Sequence, residues 1–199
     1  MQNIDALIER CRAGDERATE ALYNYHQGQV FRLAYGILGN WEDAQEVTQD
    51  ALVYGITRIK HYDSRKSRFS TWLHTITVSR CRNKLRDRRF SWLSLTAWLE
   101  GRGGDEVPDT KPGQEADVIR EELRDEVWLA IQNLNPLLRE AIVLRHWGEL
   151  TYREMAEVLG CPIRTAQSRV RLAHESLQTA LSQQNLTGRA GALEKEQAS

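Results

Sequence analysis

Cysteine is scarce in this chain of 199 residues, and its three copies do not suit a disulfide framework. Cys11, Cys81 and Cys161 are odd in number, far apart, and without the C-x-x-C spacing of zinc sites and redox motifs. The simpler inference is a reducing compartment with neither disulfides nor a structural metal. The sequence has no apolar signal-peptide core at its start and no apolar run of transmembrane length, so we expect a cytoplasmic protein without membrane insertion.

The motifs of common enzyme classes are absent too. The sequence contains no glycine-rich phosphate-binding loop. Its histidines lack the spacing of a metal site or a catalytic triad; they are His26, His61, His74, His146 and His174. We therefore expect a protein that is not an enzyme and that needs no cofactor, metal ion or small-molecule substrate.

Alternation of apolar and polar residues, which is typical of half-buried strands, is equally rare, and nearly every periodic segment has helical spacing. Glycine and proline cluster between positions 101 and 113, which is typical of a linker. We predict an all-α protein of two small helical domains joined by a flexible linker. The predicted boundaries are 1–90 for the first domain, 91–117 for the linker, 118–183 for the second domain, and 184–199 for a disordered polar tail.

Charge is unevenly distributed, although the formal net charge is only −1. Between positions 58 and 89 lysine and arginine greatly outnumber the two acidic residues, Asp63 and Asp87, whereas positions 100–126 are predominantly acidic. The basic block ends in a dense run of Arg80, Arg82, Lys84, Arg86, Arg88 and Arg89. Such a run can complement the C-terminal end of a helix dipole, but its density favours contact with phosphates.

The segment LTYREMAEVLGCPIRTAQSRV, at 150–170, has the pattern of a helix-turn-helix. Thr151 and Glu154 form a capping box, Gly160 suits the end of the first helix, and Pro162 is tolerated near the start of the second. The second helix is predicted to bury Ile163, Ala166, Val170, Ala173 and Leu177, and to expose Arg164, Thr165, Ser168, Arg171, Leu172 and Glu175. A solvated helical hairpin has the same pattern, but these exposed residue types favour a DNA-reading helix.

Two earlier segments also carry exposed candidates. A helix predicted over 41–59, capped by Asn40, has an acidic and amide-rich outer face with Val53 within it. That face is either simply solvated or a docking surface. A polar loop at 61–68 precedes a helix that restarts around Ser70, where Phe69, Trp72, Leu73 and Ile76 form an apolar stripe.

Three blocks in this order resemble the sigma-70 family of bacterial sigma factors, specifically its extracytoplasmic-function group. GNWEDAQEVTQDA at 39–51 is similar to the helix that binds core polymerase. YDSRKSRFSTWL at 62–73 is similar to the promoter-melting loop and the helix after it. Residues 134–173 are similar to the domain that reads the minus-35 promoter element.

The resemblance implies a factor that binds core RNA polymerase and directs initiation at promoter DNA by recognising minus-35 DNA and melting minus-10 DNA. Implied polymerase contacts are Gln45, Glu46, Gln49, Asp50 and Val53. Implied minus-10 contacts are His61, Tyr62, Asp63, Ser64, Arg65, Lys66, Arg68, Arg80, Arg82, Lys84 and Arg86. Implied minus-35 contacts are Arg164, Thr165, Gln167, Ser168, Arg169, Arg171 and Leu172. An anti-sigma factor is an implied further partner.

This chain departs from the family pattern at a few positions. Val78 and Ser79 stand where Arg and Asn are frequent, and Gln167 replaces a frequent basic residue. Leu172 replaces a frequent Arg on the outward face, where it could contact thymine methyl groups or a protein surface. The alternative function is a stand-alone helix-turn-helix regulator, which would leave blocks 39–51 and 62–73 without a purpose.

Overall fold

A computed structural model describes the backbone of residues 4–96 and 125–197, with side chains over 4–88 and 125–183. Within those ranges the regular structure is helical, as predicted. The N-terminal unit consists of α1 (Ile4–Arg12), α2 (Glu16–Leu38), α3 (Trp41–Thr57), a 3-10 turn (Ile59–His61) and α4 (Phe69–Thr96). The C-terminal unit consists of α5, described over 125–132, α6 (Pro136–His146), α7 (Tyr152–Leu159) and α8 (Ile163–Gln197). No described helix has the length and apolar character needed to cross a membrane.

Local capping signals set the helix ends of the N-terminal unit. The Asp15 carboxylate accepts a hydrogen bond from the Ala18 N–H and so caps α2. Gly39 ends that helix with φ of 68°, a conformation that glycine adopts without strain. Asn40 then caps α3 by accepting from the Asp43 N–H at 2.9 Å, which confirms the cap predicted there.

Two apolar cores hold the molecule together. The smaller core lies wholly in the N-terminal unit and includes Ile8, Leu22, Leu52 and Leu73. The larger core is shared between the units, because it joins Leu33, Ile37, Val78 and Cys81 to Ala141, Val143, Met155 and Val170 among others. The two units are therefore packed against each other.

Two helices extend beyond their predicted ends. α4 continues through Thr96, so residues 91–96, predicted to be linker, are helical. α8 continues to Gln197, so the tail predicted to be disordered from 184 is helical to that point. Both extensions continue an existing helix without proline, and elongation is far easier than nucleation. The rest of the predicted linker, 97–117, lies outside the described residues.

Candidate nucleic-acid interface

The helix-turn-helix has the geometry that its sequence predicts. Thr151 accepts from the Glu154 N–H, and the Glu154 carboxylate accepts from the Thr151 N–H at 2.9 Å, so the capping box is complete. Gly160 ends α7 with φ of 65°. The turn through Pro162 then starts α8, because the Thr165 and Ala166 N–H groups both bond to the Pro162 carbonyl. These bonds fix the orientation of α8 relative to α7.

α8 presents most of the predicted minus-35 residues to solvent. Its inner face buries Ala166, Val170 and Ala173 against α6 and α7. On the opposite face Arg164, Gln167, Arg171 and Leu172 are exposed, while Thr165, Ser168 and Arg169 are half-buried. The prediction that Ile163 is buried is wrong, because its side chain is 46% exposed. As the first residue of α8, it has no preceding turn of its own helix to cover it.

The predicted polymerase-binding face runs along α3. All five of its residues are exposed: Gln45, Glu46, Gln49, Asp50 and Val53. Val53 is 50% exposed among these polar neighbours. Glu46 is paired with Lys84 at 2.5 Å, and Asp43 is paired with Lys84 and Arg88.

The loop at 61–68 is held by internal hydrogen bonds rather than left open. The Tyr62 ring is buried against Phe69, and its hydroxyl donates to the Ser67 carbonyl at 3.0 Å. The Asp63 carboxylate accepts from the Arg65 N–H and guanidinium, which hold the pKa of Asp63 below its usual value. Tyr62 thus supports the loop from inside. The side chains exposed on the loop surface are His61, Ser64, Arg65, Lys66 and Arg68.

The basic residues of α4 do not form a free positive face. Arg80 lies over the Tyr54 ring, 4.9 Å from its centroid, and Lys84 is paired with two carboxylates of α3. Arg82 is paired with Glu140 of the C-terminal unit. Of the four minus-10 candidates on this helix, Arg86 is the exposed one, with a loose 3.9 Å contact to Asp87. The structure therefore divides the predicted minus-10 set into engaged and available residues.

Two carboxylates of the C-terminal unit reach into that set. Glu140, which is 3% exposed, accepts from Arg82 Nε at 2.9 Å and from Nη2 at 2.7 Å. Glu154 accepts from Arg68 and lies 3.3 Å from the Thr71 hydroxyl. Burial alone would raise the pKa of Glu154, but hydrogen bonds from Thr151 and Arg68 hold it at about 2.

Sequence reasoning did not identify either carboxylate as a contact between the units. Glu154 is fully explained locally by its capping box, so nothing in the segment indicates a second partner. Glu140 offers a weak signal, because it directly precedes the apolar run Ala141–Leu144 on α6. A carboxylate in such a setting is rarely buried unless it is paired.

Comparison with known proteins gives consistent matches. The family model described as Sigma-70 region 2 matches residues 22–91, and Sigma-70, region 4 matches residues 124–177. The chain is 32% identical to the RNA polymerase sigma-H factor of Pseudomonas aeruginosa over 178 residues, covering 88% of this chain and 92% of that protein. It is 31% identical to the ECF RNA polymerase sigma-E factor of Escherichia coli K12, covering 86% and 90% respectively.

The fold is also similar to that of a solved complex. The sigma factor RpoE of Bartonella quintana, crystallised with the anti-sigma factor NepR, aligns with a TM-score of 0.63 at 20% identity. The alignment covers 82% of this chain and 96% of that one. At this level of identity the likeness concerns the arrangement of helices.

Proposed function

The chain belongs to the extracytoplasmic-function group of the sigma-70 family, and we propose that three of its exposed surfaces divide the work of promoter recognition. Sigma factors direct promoter-specific transcription initiation and are not enzymes. In this proposal, α8 reads the minus-35 element, the loop at 61–68 with α4 contacts minus-10 DNA, and the outer face of α3 binds core RNA polymerase. The matches do not favour the alternative of a stand-alone regulator. That alternative gives no role to residues 39–51 and 62–73, and both blocks fall within the match to Sigma-70 region 2.

For the minus-35 element, we assign the contacts to Arg164, Thr165, Gln167, Ser168, Arg169, Arg171 and Leu172. The observation that carries this proposal is the completed capping box and turn, which leave the polar side of α8 exposed while its small apolar side is buried. Arginine, threonine and glutamine on such a face can bond to phosphates and to base edges in the major groove. The exposed Leu172 supplies an apolar contact suited to a thymine methyl group.

For minus-10 DNA, we assign phosphate and base contacts to the exposed loop residues and to Arg68, Arg80, Arg82, Lys84 and Arg86. The loop is preformed by the bonds of Tyr62 and Asp63. A preformed loop lowers the ordering cost of holding an extruded base. Extrusion itself costs a few kcal/mol, which contacts in the loop would offset.

For the polymerase, we assign docking to Gln45, Glu46, Gln49, Asp50 and Val53 on α3. In this assignment Val53 supplies an apolar centre and the polar side chains around it supply a hydrogen-bonding rim. We also propose that an anti-sigma factor binds this chain, supported by the fold likeness to RpoE, which was crystallised with one. The site of action would be the cytoplasm, where polymerase and DNA are present.

Run-off transcription with purified core polymerase tests the assignment. Val53→Asp is expected to abolish core-dependent transcription and to leave α8 able to bind duplex DNA. Arg164→Ala is expected to weaken promoter selection while leaving core binding unchanged. Tight promoter binding without core, combined with no transcription when core is added, would contradict the proposal.

A further inference from the structure

Two histidines meet on the C-terminal unit although 28 positions separate them in the sequence. His146 is the last residue of α6, and His174 lies on α8. Their Nε2 atoms are 3.3 Å apart, whereas their ring centroids are 5.2 Å apart, so both Nε2 atoms point into the space between the rings. Neither histidine belongs to the surfaces assigned above to polymerase or DNA. Short-range spacing in the sequence, which predicts no metal site, does not detect such a pair.

The backbone beneath both rings is held by buried apolar side chains. Val143 lies one turn before His146, and Ala173 directly precedes His174; both are buried in the larger apolar core. The two imidazoles themselves are exposed to solvent. The packing of α6 against α8 therefore sets the distance between two accessible nitrogen ligands, as a metal site requires.

The spacing of the two nitrogens matches that of two ligands on one zinc ion. Zinc binds histidine nitrogen at about 2.0–2.1 Å in tetrahedral geometry, which places two ligating nitrogens about 3.3–3.4 Å apart. Neighbouring ligands of an octahedral ion with the same bond lengths would be only about 2.9 Å apart. The observed 3.3 Å therefore favours a tetrahedral ion, and imidazole is a ligand that suits zinc.

The charges around the pair are compatible with a bound cation. Arg145, directly before the first histidine, donates to the Leu150 carbonyl at 2.8 Å. Arg171, one turn before the second histidine, is paired with Glu175. Both guanidinium groups that flank the pair are thus engaged with other groups. The first histidine also ends α6, and the negative end of a helix dipole favours a cation.

We propose that His146 and His174 form a two-histidine site for a divalent transition-metal ion, with zinc as the ion that fits their spacing. Among the residues that the structure describes, no third histidine, cysteine or carboxylate joins them in a metal-binding group, so water fills the remaining positions. As the rings stand, one Nε2 can donate a hydrogen bond to the other. On binding, the donating ring carries its proton on Nδ1 instead, and both Nε2 lone pairs bind the ion.

The ion would tie the end of α6 to α8, the helix proposed to read DNA. Because it binds the folded unit, it would make the stability of that unit depend on the concentration of free zinc. The site lies wholly within the C-terminal unit. It therefore does not depend on any assigned contact with polymerase or DNA.

Zinc sulfate added to the full chain tests the proposal, with long-range proton–nitrogen NMR spectra of the histidine rings as the readout. Zinc should shift the Nε2 resonances of His146 and His174 together and bring both rings to the tautomer protonated on Nδ1. The ring resonances of His26, His61 and His74 should stay unchanged. Magnesium chloride is the control ion and should shift none of them, because magnesium prefers oxygen ligands.

Substitutions test the same site by affinity. His146→Ala and His174→Ala should each weaken zinc binding by at least about tenfold in competition with a chromophoric chelator, because each removes one of two protein ligands. Zinc at about ten times its dissociation constant should raise the wild-type Tm by about 3–5 °C, and that of either variant by about 1 °C or less. His61→Ala and Cys161→Ser are the matched controls, since they remove another exposed histidine and the half-buried thiol of the turn before α8, and both should keep wild-type affinity.

The proposal is overturned if a tenfold excess of zinc over protein shifts neither histidine, or only one of them, since one imidazole alone would not chelate the ion. It is also overturned if both alanine variants keep wild-type affinity, or if affinity is lost in Cys161→Ser or His61→Ala instead. Both alanine substitutions remove exposed side chains, so the fold should be retained. Should either variant fail to fold, the spectra of the wild-type protein decide.

Discussion

The two surfaces proposed to contact DNA differ in what their basic residues do in the folded chain. On α8, Arg164 is exposed and Arg171 is paired within its own helix, with Glu175. On the minus-10 side, Arg68 and Arg82 are paired with carboxylates from the opposite unit. One surface is exposed as folded, and basic residues of the other are engaged in ion pairs between the two units.

The difference follows from the position of each surface relative to the shared core. The outward side of α8 points away from that core, so its polar residues remain in water. α4 packs against both α3 and the C-terminal unit, so its basic residues meet neighbours from both. Basic residues assigned to DNA from their sequence therefore differ in the folded chain: some are exposed to water, and others are held in ion pairs with carboxylates.

The largest effect is expected from Arg82→Ala, which tests whether the engaged side depends on its buried pair. Loss of Arg82 leaves Glu140 buried without its partner, which should lower the free energy of unfolding by about 3–5 kcal/mol. Arg68→Ala is the matched control, because its side chain is 66% exposed, and its expected cost is below about 1 kcal/mol. Urea denaturation of both variants measures the contrast. Equal losses would contradict this contrast, because they would show that the buried and the exposed ion pair contribute equally to stability.

Gly36→Ala tests the contact between the two units without altering any arginine. The new methyl group would overlap the Trp147 ring and approach Val143, at an expected cost of about 1–3 kcal/mol from overpacking. Gly28→Ala is the control on the same helix, where the nearest atom to an added Cβ is 3.5 Å away, and it should stabilise the protein by about 0.5–1 kcal/mol. Thermal unfolding of the pair should give shifts of opposite sign. A stabilised Gly36→Ala would contradict the close contact with Trp147.

Thr151→Ala tests the exposed surface on α8, because it removes the capping hydroxyl of α7, the helix that precedes α8. A cost of about 1 kcal/mol is expected, and Thr151→Ser should restore most of it. Binding of duplex DNA by α8 should weaken, since α7 and its turn hold α8 in place. Calorimetry and electrophoretic mobility shifts measure the two effects. Unchanged stability in the alanine variant would mean that the cap contributes nothing.

The smallest effect on stability, within about 0.5 kcal/mol, is expected from Leu172→Arg, because the side chain is exposed. Its effect on sequence preference should nevertheless be measurable, since an arginine favours guanine where a leucine suits a thymine methyl group. Run-off transcription from a library randomised in the minus-35 element tests this, with Leu172→Ala as the control for loss of the side chain. An unchanged preference would place Leu172 outside the DNA contact.

Features set by neighbouring residues were predictable from the sequence. The Asn40 cap, the Thr151–Glu154 box and the Gly160 helix end each depend on residues no more than four positions apart, and the structure has all three. The inner face of α8 followed from its period, apart from the exposed Ile163 at the helix start and Leu177, which is only half-buried. The assignments of individual residues to polymerase or DNA remain predictions.

Contacts between the units were not predictable in the same way. Gly36 meets Trp147 and Arg82 meets Glu140 across long stretches of chain, and no local pattern specifies which residues come together. The predicted linker begins at position 91, but α4 continues to Thr96, because residues 91–96 contain neither glycine nor proline to stop a helix that has already formed.

The contact between Gly36 and Trp147 also has a cost within α2 itself. Glycine in a helix interior is less favourable than alanine by about 1 kcal/mol, so α2 gives up local helix stability at position 36 where the ring approaches it. Because Trp147 in turn stacks on Trp128, a side chain at position 36 would disturb two rings and not one.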